Sequence, residues 1–131
     1  MEQLRLLFQD KPEVWNFIQL YVDYCHKIDD LIDEKFEPEI LLKCLYLASL
    51  IYSSDYFNRY RSFLLPIEHH IINTYADSVK WEKESDTNKT KYVDMLRHCG
   101  LDMILKIVQL EFGWDILRRT SDLIRNQIYN P

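Results

Sequence analysis

Residues 39–52 read EILLKCLYLASLIY, a leucine-rich run without glycine or proline. Leucine favours helices, whereas strands favour β-branched residues such as valine. The chain as a whole follows the same preference, with 18 leucines and 5 valines. The run therefore predicts a helix that is apolar on nearly every side, and a helix of this kind must be covered all round.

Glycine is scarce in the rest of the chain. Its 131 residues include only Gly100 and Gly113, and no Asn-Gly or Asp-Gly pair. Hairpin turns and phosphate-cradling loops both depend on glycine, so hairpin-rich folds and the common nucleotide-binding loops are disfavoured. We expect an all-α fold, a compact bundle of five or six helices that forms a single domain over residues 1–131.

Helix start and stop signals divide the chain. Pro12 suits a first helical turn, Gly113 suits a helix end, and the polar run at residues 84–90 predicts a linker. Pro66 either kinks one helix or begins another. The predicted helices cover about residues 12–35, 39–52, 55–65 (capped by Asp55), 66–83, 91–112 and 114–128.

Charge and cysteine content limit the function classes. The net charge is −5, and only Arg118, Arg119 and Arg125 cluster, so a nucleic-acid-binding role is disfavoured. The three cysteines are widely spaced without a Cys-x-x-Cys motif, which indicates reduced, packed thiols. No secretory signal is visible and no apolar stretch approaches about 18 residues. We therefore expect a cytoplasmic protein without a membrane-spanning segment.

The apolar surface of the helix predicted over residues 39–52 could be covered in two ways. A domain of this size has few helices with which to enclose one completely, so a second copy of the chain could supply the missing cover in a homodimer. Alternatively, the helix is central and its own neighbours surround it. We expect a protein-interaction or structural role as a homo-oligomer, and both arrangements stay open.

An acidic motif, IDDLIDE, occupies residues 28–34. It resembles the aspartate-rich motif of class I isoprenoid synthases, all-helical enzymes that hold magnesium diphosphate. The resemblance implies Asp29, Asp30 and Asp33 as magnesium ligands, and carboxylates one helical turn apart can share a hard cation. A helical projection nevertheless puts Asp30 and Asp33 opposite the apolar side, which favours a solvated acidic face near Lys27 and Lys35.

A narrower polar stripe lies on the predicted helix 91–112. Asp94, His98 and Asp102 follow at i+4 steps on a helix that is otherwise mostly apolar. Two carboxylates and an imidazole can bind a transition metal, and a His–Asp pair can transfer protons. The other interpretation is the wet edge of an amphipathic helix, where Asp102 pairs with Lys106.

A second polar flank follows Pro66. His70, Asn73 and Asp77 lie beside the apolar side of their helix, from where they could face Asp94, His98 and Asp102 across a cleft. They could equally be hydrogen-bonding groups on the helix surface. If the two flanks face each other across a cleft, all six residues form one polar cluster.

These clusters supply an alternative function. A Mg- or Mn-dependent enzyme could act on a nucleotide or diphosphate through helix-borne carboxylates and histidines. All-α nucleoside triphosphate pyrophosphatases combine Glu-x-x-Glu with a later Glu-x-x-Asp, and Asp30-Leu31-Ile32-Asp33 resembles one half of that pair. The resemblance concerns architecture.

Overall fold

The computed structural model describes residues 2–33 and 35–130, and every regular element in these ranges is a helix. The all-α prediction is therefore confirmed. The α-helices are α1 (Glu2–Leu7), α2 (Pro12–Asp33), α3 (Pro38–Ser53), α4 (Asp55–Arg59), α5 (Arg61–Glu82), α6 (Thr87–Arg97), α7 (Leu101–Phe112) and α8 (Trp114–Tyr129), with a 3-10 turn at His98–Gly100 between α6 and α7.

These helices outnumber the five or six predicted. Helix α1 precedes the first predicted helix, and the helix predicted over 91–112 is divided by the 3-10 turn. The segment predicted over 55–65 ends as α4 at Arg59, because Tyr60 leaves helical geometry with φ −111° and ψ 24°. The additional helices are either short or arise where a short break divides a predicted helix in two.

Two helix starts differ from prediction because of their capping side chains. Ser54, rather than Asp55, caps α4, since its Oγ accepts a hydrogen bond from the Phe57 N–H at 3.2 Å. Asp86 caps α6 by accepting from the Asn88 N–H at 2.8 Å. A side-chain acceptor for an orphan first-turn N–H is what fixes a helix start. Helix α6 therefore begins at Thr87, inside the stretch predicted as a linker.

Pro38 and Pro66 occupy different positions in their helices. Pro38 is the first residue of α3, a position where a missing N–H breaks no helical bond. Pro66 lies inside α5, which is continuous from Arg61 to Glu82. It therefore does not begin a new helix.

The core forms where helix faces meet in pairs. Helix α2 packs mainly on α3, α5 packs on α6 and α7, and α7 packs on α8. One hydrophobic cluster joins buried side chains from α1, α2, α3, α4, α5, α7, α8 and the 3-10 turn. Helix α7 contributes the most buried residues, as expected from its apolar circumference: Leu101, Met103, Ile104, Leu105, Ile107 and Val108.

The helices described over residues 2–33 and 35–130 include none that could cross a membrane. Each described helix falls short of the length or the apolar character that a crossing requires.

Candidate functional site

Helix α3 lies at the edge of the molecule, packed mainly on α2 and α4. Its inner side buries Cys44, Leu47 and Ile51, which are spaced to share one face. Its outer side leaves Leu42 57% and Leu45 59% exposed. Within the described ranges the chain covers one side of this helix, and it does not surround the helix with its own neighbours.

The exposed residues form one strip, which we call the α3 face. It consists of Leu41, Leu42, Leu45, Tyr46, Ser49 and Leu50. The strip runs along a helix of 16 residues, about 24 Å long at 1.5 Å per residue. Soluble monomers rarely expose contiguous apolar patches beyond roughly 300–600 Å², and larger ones mark contact sites. The α3 face is therefore the main candidate for a functional surface.

The serine hydroxyl groups on this side of α3 already have hydrogen-bond acceptors within the helix. Ser49 Oγ donates to the Tyr46 carbonyl oxygen at 2.6 Å, and Ser53 Oγ donates to the Ser49 carbonyl oxygen at 2.7 Å. A buried donor without a partner would oppose association by about 1–3 kcal/mol. Because these hydroxyls bond to their own helix, the strip can lose its water without leaving them unpaired.

Arg97 forms the densest polar cluster, where α6 meets α2 and α5. Its Nε donates to Ser78 Oγ at 2.8 Å, and its Nη1 donates to Asp33 Oδ1 at 2.8 Å. Its Nη2 lies 2.9 Å from Glu82 Oε2, an ion-pair distance outside hydrogen-bond geometry. The guanidinium also lies over the Tyr75 ring, 5.1 Å from its centroid. Only 11% of the Arg97 side chain is exposed, so this guanidinium fastens three helices together.

The acidic motif on α2 takes part in this cluster. Asp29 accepts a hydrogen bond from the Tyr75 hydroxyl, and Asp33 binds Arg97. The Asp33 side chain is 47% exposed, as a solvated acidic face requires, and the additional finding is the guanidinium that α6 brings to it. Asp30 does pair with Lys27, at 3.8 Å, as a solvated acidic face would. Glu34 lies outside the described residues.

An open groove of about 420 Å³ runs beside Arg97. It is lined by Asp29, Asp33, Glu82, Thr90, Val93, Asp94 and Arg97. Carboxylates in such a groove attract cations, and the Arg97 guanidinium already provides one to Asp33 and Glu82. The arrangement is suited to holding helices together.

The predicted stripe of Asp94, His98 and Asp102 lies on the surface. The Asp94 side chain is 78% exposed. The His98 Nδ1 lies 2.7 Å from the Asp94 carbonyl oxygen, and 3.9 Å from Asp94 Oδ1. Asp102 accepts from Arg125 Nη2 at 3.4 Å, which ties α7 to α8. The three residues lie along one edge, which crosses the 3-10 turn. His98 contacts Asp94, whereas Asp102 pairs with Arg125 of α8.

The second predicted flank remains apart from this edge. His70, Asn73 and Asp77 are all exposed on α5. Within residues 2–33 and 35–130, no hydrogen bond or ion pair joins them to Asp94, His98 or Asp102. The same ranges contain no group of three or more His, Cys, Asp or Glu side chains arranged to hold a metal ion. The proposed metal site and its Mg or Mn ion therefore stay predictions from the sequence.

Glu68 is a buried carboxyl group that the sequence analysis missed. It is 2% exposed. Its Oε1 accepts from the Tyr21 hydroxyl at 3.0 Å, while its Oε2 has no hydrogen-bond partner. The spacing Leu64, Glu68, Ile71 and Ser78 follows one helix face, and this phase was the signal that could have revealed it.

Burial keeps protons on the groups around Glu68. Desolvation raises the pKa of Glu68 above its ordinary value of 4.5, which favours the neutral acid. Burial likewise raises the pKa of Cys25 to about 12 and the pKa of Tyr24 to about 12. A thiol in this state is a packing group rather than a nucleophile. The cluster is therefore part of the core.

A second open depression, of about 600 Å³, lies at the corner between α4 and α5. It is lined by Asn58, Arg59, Arg61, Ser62, Leu65, Pro66 and His69. Its arginines already have contacts within the chain: Arg59 pairs with Glu13 at 3.2 Å, and Arg61 lies over the Phe57 ring. The corner carries two arginines, and both already interact with side chains of the same chain.

Comparisons of the chain with protein-family models, with curated proteins and with solved structures gave no significant match.

Proposed function

We propose that this protein is a helical interaction module that associates with a second copy of itself through the α3 face. The observation that supports the proposal is the half-covered state of α3. This helix is apolar around most of its circumference, and the described chain packs against only one side. A two-fold homodimer would bring the same strip of each copy together and cover both at once.

Burial of the α3 face against a second copy favours association only weakly. Full burial of a large apolar side chain contributes about 1.5–3 kcal/mol. Covering the exposed half of five such side chains on each of two copies gains on the order of 10 kcal/mol. Association itself costs about 4–15 kcal/mol in lost freedom of motion. The gain exceeds the lower end of this cost by about 6 kcal/mol, less than the roughly 8 kcal/mol of a micromolar complex. We therefore expect a weak, reversible dimer that forms at high micromolar concentrations rather than an obligate one.

The enzymatic alternative has less support. A Mg- or Mn-dependent reaction needs carboxylates that converge on the metal with room for a substrate. The carboxylates of Asp33 and Glu82 instead converge on Arg97, and Asp102 binds Arg125. The polar clusters thus have structural partners, whereas the α3 face has none among the described residues.

A pair of matched variants tests the proposal. Leu45→Glu puts a charge at the centre of the α3 face, and Ile72→Glu puts the same charge on α5, where the side chain is 53% exposed. We expect light scattering behind size exclusion, with each protein loaded at high micromolar concentration, to give an average mass above the 16.0 kDa of one chain for the wild type and Ile72→Glu. Leu45→Glu should elute as a monomer, since a buried unpaired charge is strongly unfavourable.

Circular dichroism of the three proteins checks that each is folded. Equal masses for Leu45→Glu and the wild type would count against the α3 face as the contact, whether both are monomers or both are dimers.

A further inference from the structure

We propose that the depression between α4 and α5 binds the phosphate group of a small organic phosphate ester. This site, which we call the α4–α5 corner, is separate from the α3 face. Its lining includes Arg59 and Arg61 and, among the described residues, no carboxylate. Its volume of about 600 Å³ suits a small ligand, since ligand pockets span roughly 300–1,000 Å³.

The surface around the α4–α5 corner is poor in acidic side chains. The protein has a net charge of −5, yet between Asp55 and Asp77 the sequence contains one acidic residue, Glu68. Glu68 is 2% exposed and burial raises its pKa, so it adds little negative charge there. Arg59 and Arg61 are both exposed. The corner is therefore a cationic patch on an acidic molecule, and such patches attract anions.

Arg61 is positioned by groups that do not neutralise its charge. Its Nη1 donates to Asn58 Oδ1 at 3.5 Å, and its guanidinium lies 5.9 Å from the centroid of the Phe57 ring. Both partners are neutral. The ion pairs within residues 2–33 and 35–130 do not include Arg61. Its guanidinium therefore keeps its charge for a phosphate, which it can bind with two parallel hydrogen bonds.

Arg59 has a carboxylate partner that a ligand would compete with. Its Nη2 lies 3.2 Å from Oε1 of Glu13 on α2, and the two side chains are 52% and 56% exposed. An ion pair exposed on both sides is weak, so the guanidinium can exchange it for a doubly charged phosphate. Removal of the Glu13 charge should therefore strengthen phosphate binding.

The two arginines also lie where positive charge is unfavourable. Arg59 ends α4, Arg61 begins α5, and the first turn of α5 has no acidic residue. Positive side chains at the start of a helix oppose its dipole. Arrangements that break a local rule of stability are expected at functional sites. A bound phosphate dianion would relieve the repulsion between these charges.

The rest of the lining fits the organic part of the ligand. Residues 61, 65 and 69 follow at i+4 steps, so one side of α5 presents Arg61, Leu65 and His69 together. Pro66 lies beside Leu65 and extends the apolar part of the lining. The cationic end of the depression and its apolar end together select a phosphate attached to an apolar or ring-shaped group.

A nuclear magnetic resonance titration with phenyl phosphate tests the site, at constant ionic strength so that screening of charges stays equal. We expect saturable shifts in the backbone amides of residues 58–62, with a Kd in about the millimolar range. Arg61→Gln should weaken binding about fivefold, and Glu13→Gln should strengthen it about twofold. Arg118→Gln is the matched control, because it removes the same charge from an exposed position on α8 and should leave the Kd unchanged.

The opposite responses of Arg61→Gln and Glu13→Gln distinguish a binding site from a folding defect, because a misfolded variant would not bind more tightly. The backbone spectrum of each variant also shows whether its fold is retained. Shifts that do not saturate, or that are equally large along α8, would overturn the proposal. Equal weakening by Arg61→Gln and Arg118→Gln would overturn it too, since net charge alone would then explain the binding.

Discussion

Arg97 connects parts of the chain that are distant in sequence. Its guanidinium reaches Asp33 on α2, and Ser78 and Glu82 on α5. Since the arginine side chain is largely buried while its partners are more exposed, removal of the charge leaves carboxylates that water can still solvate. The loss of stability should therefore fall below that of a fully buried ion pair.

We expect Arg97→Met to lower the free energy of unfolding by about 2 kcal/mol, because it removes two ion pairs and the Ser78 hydrogen bond together. Arg59→Met is the matched control, since the ion pair of Arg59 with Glu13 is exposed on both sides and its loss should stay below about 1 kcal/mol. Urea unfolding measures both. Equal losses would mean that the Arg97 cluster contributes no more than a surface pair.

Glu68 predicts a pH dependence with a definite sign. Its pKa is raised in the folded protein, so the folded state holds this proton more tightly than the unfolded chain. The resulting stabilisation is fully present below pH 4.5, the ordinary pKa, and is lost as pH rises through the folded-state pKa. Ionised carboxylates that are paired in the folded state contribute with the opposite sign, so a comparison of variants is required.

Glu68→Gln keeps the shape of the side chain and an acceptor for the Tyr21 hydroxyl, but it cannot ionise. We expect the variant to gain stability relative to the wild type as pH rises from 4.5 toward neutrality. Chemical unfolding of both proteins at a series of pH values gives the difference. A difference that is flat, or that moves in favour of the wild type, would contradict a neutral buried carboxyl group.

Of these two residues, only Glu68 could have been predicted from the sequence. The buried face of α5 repeats at helical spacing, and Glu68 lies on that face. The Arg97–Asp33 contact joins residues 64 positions apart, and nothing local in the chain relates them. The helical projection of α2 placed Asp33 at the surface, where it lies, but a projection describes one helix and could not show a partner that belongs to another.

At the scale of the element, Gly113 connects α7 to α8 with φ +88° and ψ −177°. This is a conformation that only glycine adopts readily, and it differs from the left-handed region that asparagine tolerates. A side-chain carbon at this position would meet no neighbour within 4 Å. The requirement for glycine therefore comes from the backbone alone.

We expect Gly113→Ala and Gly113→Asn to destabilise the protein to a similar extent, by about 1–3 kcal/mol. Thermal unfolding of the two variants beside the wild type measures this. A clear rescue by asparagine relative to alanine would show a left-handed helix end instead, and would contradict the extended geometry at this junction.

The helix boundaries were predictable at residues whose covalent structure determines the backbone geometry. Pro12 and Gly113 restrict the backbone directly, and the helix start predicted at Pro12 and the helix end predicted at Gly113 hold. The predictions failed where alternative capping side chains stood side by side, as with Ser54 and Asp55, or where the backbone changed geometry without a marker, as at Tyr60. Choosing between adjacent caps depends on how the preceding helix packs, which the local sequence does not contain.

At the scale of the whole molecule, the strongest signal in the sequence was the apolar circumference of residues 39–52. It predicted helix α3 and the need for cover, but it could not distinguish a central helix from an edge helix. That distinction depends on which faces of α2, α4 and α5 turn inward. The chain resolves it by placing α3 at the edge, with Cys44, Leu47 and Ile51 inward and Leu42 and Leu45 outward.

The exposure of Leu42 and Leu45 predicts a molecule that is incomplete as a single chain. Sedimentation equilibrium of the wild-type protein over a range from low to high micromolar concentration tests this most directly. The account predicts a monomer–dimer equilibrium in which the average mass rises toward twice 16.0 kDa as concentration increases. A mass that stays at 16.0 kDa throughout the range would contradict it.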